Sequence, residues 1–314
     1  MITVRIEAKT AVAQDVCALT LVAADGGALP AFTAGAHVDV HLPGGLVRQY
    51  SLSNDPAETH RYVLGVLREA QSRGGSRAVH ELAPGQTLQV SMPKNHFPLA
   101  AQARRSLLIA GGIGITPILA MARQLASEGA AFEFHYAASS AERMAFRADI
   151  EASDWAEAAQ FHVGHERLDV KQLLAAQTGD VHVYVCGPKR LIDAVTDAAQ
   201  GLGWATERVH REFFAGVDAA PTGQDRAFEI ELRSGQIITV PADRSAAHAL
   251  IAAGVPLLTS CEQGVCGTCL TRVIAGQPEH RDLYLTPEEQ AANDQFLPCC
   301  SRALSDRLLL DLDR

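Results

Sequence analysis

The sequence has no apolar run long enough to span a bilayer. Its longest nearly uncharged stretch, residues 107–122, falls short of the ~20 residues a spanning helix needs, and glycines, Thr116 and Pro117 interrupt it. The first residues, MITVRIEAKT, set Arg5 and Lys9 in a strand-like alternation and lack the apolar stretch and small-residue cleavage site of a secretory signal. Export is not expected, and a cytoplasmic location is. Positive charge is in deficit: 27 Lys and Arg face 36 Asp and Glu, for a formal charge of -9. The overall field therefore opposes polyanions, and neither nucleic acid nor an anionic membrane is an expected partner. The composition of disordered chains is missing too, since 47% of residues are apolar and 20% charged. No internal repeat or low-complexity tract is evident. Cysteine is too dilute for a secreted disulfide scaffold, with 7 in 314 residues, an odd number. Yet Cys261, Cys266, Cys269, Cys299 and Cys300 crowd into the C-terminal part, and that crowding needs a chemical explanation.

The length alone suggests about two domains, but the pattern divides into three. Up to about residue 99, short β-rich runs (TVRIEAKTAV, VCALTLVA, AHVDVHLP, RYVLGVLRE, QTLQVSM) are broken by DGG, PGG and PG. Such spacing predicts an antiparallel barrel or sandwich. From Ser106, strand-like SLLIA, FEFHYAA, FHVGHE and HVYVCGP alternate with helical segments such as ILAMARQLASEG and PKRLIDAVTDAAQGLG. That alternation predicts a doubly wound parallel sheet. AGVDAAPTGQD then has the composition of an interdomain linker. Beyond it, AFEIELRSGQIITVPA reads as a hairpin around Ser234 and Gly235, SAAHALIAAG as a helix and LLLDLD as a closing strand. The expected boundaries are 1–102, 103–215, a linker over 216–226, and 227–314.

Cys261, Cys266 and Cys269 have C-x4-C-x2-C spacing, followed some 30 residues later by Cys299 and Cys300. This is the plant-type [2Fe-2S] pattern. A loop that carries three thiolates must curl around an anionic cluster with its N–H groups inward, and Gly264 and Gly267 permit the positive-φ turns this requires. Structural zinc is the alternative, although zinc ribbons present paired C-x2-C knuckles. Spacing alone leaves the fourth ligand open between Cys299 and Cys300. Cys17, in an alternating strand, reads as a small core residue.

Two further segments suggest cofactor chemistry. In Arg48-Gln49-Tyr50-Ser51-Leu52-Ser53, followed by Gly74-Gly75-Ser76, an arginine can neutralise a phosphate, a tyrosine offers an aromatic plate, and a serine hydroxyl can hydrogen-bond a ring nitrogen. Taken singly, each has a plainer reading as surface charge, barrel packing or turn. Gly111-Gly112-Ile113-Gly114-Ile115-Thr116-Pro117 lies between a buried strand and a helix, where backbone can approach a pyrophosphate. It is not the G-x-G-x-x-G fingerprint. Glu133 falls within a strand and reads as an outward-facing charge rather than a ribose ligand. Cys186-Gly187-Pro188 ends a later strand, at the edge where such sheets bind ligands.

In that order, RQYSLS, GGS, GGIGITP, CGP and CEQGVCGTC resemble the phthalate dioxygenase reductase and vanillate O-demethylase reductase family, within the ferredoxin-NADP reductase superfamily, over essentially the whole chain. The resemblance implies an FMN-binding antiparallel β-barrel, an α/β nicotinamide domain and a β-grasp plant-type ferredoxin domain. It implies Arg48 and Ser76 at the FMN phosphate, Gly74 and Gly75 shaping that loop, Gln49 beside them, Tyr50 on the flavin and Ser51 near its N5. Gly111, Gly112, Gly114, Thr116 and Pro117 would receive the NADH pyrophosphate, with Cys186, Gly187 and Pro188 near the nicotinamide. Phe214 matches an aromatic that covers the flavin, with core packing as its alternative. CCSRA matches the family's C-x-SRA, which selects Cys299 to join Cys261, Cys266 and Cys269. The chain departs where relatives often carry an arginine near the adenosine; Ser139 stands there, and Glu166 is a candidate acidic NADH selector.

NADH delivers two electrons as hydride, whereas a [2Fe-2S] cluster accepts one at a time, so a flavin is needed between them. The expected activity is that of a monomeric NADH-dependent reductase serving a Rieske-type aromatic oxygenase or O-demethylase. The alternatives are another acceptor, such as a ferredoxin or haem monooxygenase, or a non-enzymatic iron–sulfur carrier or redox sensor.

Overall fold

The computed structural model describes residues 1–72, 74–164, 168–214 and 225–313. Glu166 and most of the expected linker lie outside these residues. The chain forms two compact units, Met1–Phe214 and Ala215–Arg314.

The first unit opens with strands β1 (Ile2–Ala13), β2 (Val16–Ala23), β3 (Ala36–His41), β4 (Val47–Ser51) and β5 (Tyr62–Leu67). Helix α1 (Gly75–Glu81) and strands β6 (Thr87–Val90) and β7 (Lys94–Asn95) follow. They pair antiparallel in the order β4-β3-β6-β1-β2-β5, with β7 on β3. Leu52, just past β4, bridges Leu64 of β5, and the Ser53 N–H donates to the Val63 carbonyl at 2.9 Å. These bonds join the two ends of the sheet, giving the expected barrel and removing its free edges. Alternation explains the core: Val4, Ile6, Leu19, Leu21, Val38, Val40 and Leu64 face inward, fully buried, each worth about 1.5–3 kcal/mol of transfer energy.

The parallel sheet is built from β8 (Arg105–Gly111), α2 (Ile115–Ser127), β9 (Phe132–Ala138), α3 (Arg147–Glu151), β10 (Ala159–Val163), α4 (Val170–Ala175), β11 (Val181–Cys186), α5 (Lys189–Gly201) and β12 (Val209–Glu212). Its order, β10-β9-β8-β11-β12, has every pair parallel. Sheets of this kind are covered on both faces. Leu107, Ile109, Val183 and Val185 pack with Ile192 and Val195 of α5, while Leu108, Ala110, Phe134 and Tyr136 pack with Ile118 and Met121 of α2. Val16, Ala18, Ala34 and Phe97 of the barrel join this second core. Arg123 of α2 donates to the Ser53 carbonyl at 2.7 Å, and the Ala100 N–H donates to Tyr184 Oη at 2.8 Å. Barrel and parallel sheet thus share a continuous apolar contact.

The second unit contains β13 (Phe228–Leu232), β14 (Ile237–Val240), α6 (Ala246–Ala252), β15 (Thr271–Ala275), β16 (Pro278–Glu279), α7 (Pro287–Ala292), β17 (Gln295–Phe296), β18 (Arg302–Ala303) and β19 (Arg307–Leu310). The expected hairpin is β13–β14. The closing strand β19 lies centrally, parallel to β13 and antiparallel to β15, the mixed arrangement of a β-grasp. Ser245 caps α6 by accepting from the His248 N–H at 3.3 Å, and Thr286 with Glu289 forms a capping box on α7.

Candidate redox site

Arg48, Gln49, Tyr50 and Ser51 all lie on β4, the strand at one end of the barrel sheet. Val47–Ser51 is therefore the strand next to the barrel's closure as well as a motif. The segment Gly74-Gly75-Ser76 opens α1 and meets β4 directly: a Cβ on Gly75 would stand 2.6 Å from Arg48 Cγ and 2.8 Å from its Nε. Only a residue without a side chain lets the helix start lie this close to the guanidinium stem. Ser76 Oγ accepts from the Glu69 N–H at 3.1 Å and donates to Ser72 Oγ at 2.9 Å. Burial pushes the Tyr50 phenol up to about 12, so it stays protonated. Ser51 is buried and pairs with His37 across β3–β4.

Gly111 ends β8, and Gly114 precedes α2. At Gly114 a Cβ would sit 2.4 Å from the Cys186 carbonyl oxygen and 2.6 Å from the Gly187 nitrogen. The two segments, far apart in sequence, are thus in backbone contact at the carboxyl ends of neighbouring strands, the ligand edge of a doubly wound sheet. Thr116 turns inward, donating to the Ile113 carbonyl at 3.2 Å. Cys186 is fully buried, and burial, reinforced by Glu212, holds its thiol well above the ordinary range. Phe214 is 37% exposed, so core packing does not describe it; Phe213 is the ring that packs.

Glu212 escaped the sequence reading. It pairs with Cys186 across β11–β12, its Oε2 is buried with no hydrogen-bond partner among the described residues, and burial raises its carboxyl to about 8. No spacing signal marks it, because only the pairing of β12 with β11 brings it beside Cys186. Glu133 is braced rather than simply outward-facing: its carboxylate meets Arg105 at 3.2 Å, His135 at 2.9 Å and Gln177 at 3.2 Å. Ser139 is exposed.

In the second unit, Gly264 and Gly267 have φ of 70° and 68°, the left-handed turns expected of the cysteine loop. Cys261 interacts with Cys266 and Cys269 with Cys299, and Cys300 bonds Cys299 as well. The hydrogen bond from Cys261 lowers the Cys266 thiol, and those from Cys269 and Cys300 lower the Cys299 thiol. Backbone N–H groups of Val265 and Gln263 point at Cys261, that of Thr268 at Cys266 and that of Gly264 at Cys299. Two thiol pairs ringed by inward N–H donors suit two irons with two thiolates each, and the anionic cluster they form. Cys300 also lies at this group: its thiol bonds Cys299, and its Sγ is 3.7 Å from the Leu297 carbonyl and packs against Gly264. Tyr284 lies on the loop, its Cζ 2.4 Å from where a Gly267 Cβ would stand. Cys17 is buried in β2, as a core residue should be.

Residues 230–304 match the family model of the 2Fe-2S iron-sulfur cluster binding domain, and residues 90–209 that of the dimethylamine monooxygenase subunit DmmA-like N-terminal domain. The chain is 52% identical over 99% of its length to the whole of the vanillate O-demethylase oxidoreductase of Pseudomonas sp. strain HR199. A solved structure titled as phthalate dioxygenase reductase, a modular structure for electron transfer from pyridine nucleotides to [2Fe-2S], aligns with a TM-score of 0.77 and 37% identity, over 99% of this chain and 97% of that one. An intact type IV self-sufficient cytochrome P450 monooxygenase aligns with a TM-score of 0.84 and 39% identity, over 99% of this chain but 41% of the other. The ordered motifs, the three sheets and full-length similarity agree: this chain belongs to the phthalate dioxygenase reductase and vanillate O-demethylase reductase family of NADH-dependent flavin iron–sulfur oxidoreductases.

Proposed function

We propose that this protein supplies single electrons from NADH to a Rieske-type aromatic oxygenase or O-demethylase, acting as a monomer. The flavin barrel would be 1–102, the nicotinamide domain 103–215 and the ferredoxin domain 227–314. The pairing of four thiols, in a chain that also carries the flavin and nucleotide segments, carries this reading. When bound, FMN would supply the exchange between two-electron hydride chemistry and the one-electron chemistry of a [2Fe-2S] cluster. Arg48 and Ser76 hold the FMN phosphate, and Gly74 and Gly75 keep their loop close to Arg48. Gln49 borders the cofactor, Tyr50 packs on the ring system, and Ser51 hydrogen-bonds its N5. Gly111, Gly112, Gly114, Thr116 and Pro117 form the pyrophosphate seat at the start of α2, where N–H groups favour anions. Cys186, Gly187 and Pro188 would frame the nicotinamide, and Phe214, exposed rather than packed in the core, would cover the flavin. Cys261, Cys266, Cys269 and Cys299 bind the two irons.

The similarity to a self-sufficient cytochrome P450 favours one second reading, a haem monooxygenase as acceptor. Purified holoprotein with NADH and each acceptor separates the two, since reduction of the Rieske centre and of haem iron differ in spectrum. Flavin and iron–sulfur absorbance together, bleached by NADH, are expected; zinc in place of iron would end the electron-transfer reading.

A further inference from the structure

Asp225, the first described residue of the second unit, makes an unusual commitment for the end of a connecting segment. Its side chain is 2% exposed. Its carboxylate grips Arg281 with two bonds, Oδ1 to Nη2 at 2.6 Å and Oδ2 to Nη1 at 3.2 Å. Paired bonds of this kind are geometrically specific and roughly twice as strong as neutral ones. Arg281 also bonds Glu279 through Nε at 2.9 Å and Nη2 at 2.7 Å, and its backbone N–H donates to Ser301 Oγ at 3.1 Å. Ser301 and Arg302 directly follow Cys299 and Cys300. Arg302, 4% exposed, donates to the carbonyls of Arg244, Arg226 and Pro241 at 2.8, 2.9 and 3.0 Å, and its Nε lies 3.9 Å from Asp225 Oδ2. Both arginines that hold residues 225–226 therefore belong to, or are bonded to, the segment that presents Cys299.

We infer that Asp225 is a positioning residue for electron transfer. Its bidentate bond to Arg281, whose backbone N–H is held by Ser301, ties residues 225–226 to the Cys299–Arg302 segment and so steadies the segment that presents Cys299. The neutral and isosteric Asp225→Asn keeps the shape and removes the charge. This inference rests on the proposed flavin-to-cluster transfer.

Trypsin reads the lock directly, because no Lys or Arg lies between Arg211 and Arg226. In the holoprotein the Arg226–Ala227 bond should resist cleavage. In Asp225→Asn it should be cut about tenfold faster or more, as a lost charge-assisted bond implies. Stopped-flow absorbance with NADH should show an unchanged flavin-reduction phase and a slowed cluster-reduction phase, with the cluster's paramagnetic resonance spectrum unaltered. Asp225→Glu, which keeps the charge, should restore both readouts towards the unsubstituted protein. Unchanged cleavage overturns the lock; faster cleavage with an unchanged cluster phase makes Asp225 merely structural and overturns the positioning role. If Asp225→Asn cannot retain its cluster, Asp225→Glu and the unsubstituted protein decide: cleavage after Arg226 in the latter as fast as in an unfolded control sinks the inference. Failure of NADH to reduce the flavin at all would instead sink the underlying reading.

Discussion

Gly75 lies flat against the side chain of Arg48, with a Cβ position 2.6 Å from Arg48 Cγ. Gly75→Ala must therefore displace the arginine. Weaker FMN binding by about tenfold to a hundredfold is expected, the range for losing a hydrogen bond to a charged group. Fluorescence titration of flavin-stripped protein measures it, and the cluster absorbance should not change.

Gly114 meets backbone rather than a flexible side chain, 2.4 Å from the Cys186 oxygen, so an added methyl has nowhere to go. Gly114→Ala should cost about 1–3 kcal/mol of stability, as overpacking does, and should slow flavin reduction by NADH. Calorimetry and stopped-flow absorbance test the two halves; a variant as stable and as fast as the parent would refute the close approach.

Cys299 is bonded by both Cys269 and Cys300, and Cys300 also lies 3.7 Å from the Leu297 carbonyl, so substitution has to separate the two, and the family pattern C-x-SRA names Cys299. Cys299→Ser should abolish the normal cluster spectrum while sparing flavin reduction. Cys300→Ser should keep the cluster and lose about 1 kcal/mol or less of stability. A native cluster in Cys299→Ser, seen by absorbance and paramagnetic resonance, would reassign the fourth ligand.

Glu212 gives a pH signature. Burial raises its carboxyl to about 8 in the folded chain, against about 4.3 when unfolded. Between those values the folded state binds the extra proton, so the group's contribution to stability is full below the lower value and falls as pH rises towards 8. Glu212→Gln removes that slope. Its melting temperature relative to the parent should rise steadily from pH 5 to pH 8 and level off above; a flat difference would mean the carboxyl is already ionised.

Much of the site could be read early because its chemistry depends on local order. Cys261, Cys266 and Cys269 sit on one loop, and the turns at Gly264 and Gly267 follow from what that loop must enclose. Glu212 and Asp225 could not be read this way. Each is an ordinary acidic residue in sequence, and its character comes from a strand pairing or an arginine 56 positions away. The segment RQYSLS also hid a second role, as the barrel strand whose following Leu52 closes the sheet on Leu64.

Local order along the chain settled most of the elements and the succession of three sheet-forming regions. Periodicity and spacing act over a few residues and survive in a linear string. Tertiary packing alone decided that barrel and parallel sheet share a core, that Cys299 and Cys300 come to the loop of Cys261, Cys266 and Cys269, and that a carboxyl lies buried beside Cys186. Those outcomes depend on which distant atoms come within a few ångströms and exclude water, and no stretch of sequence carries that information by itself.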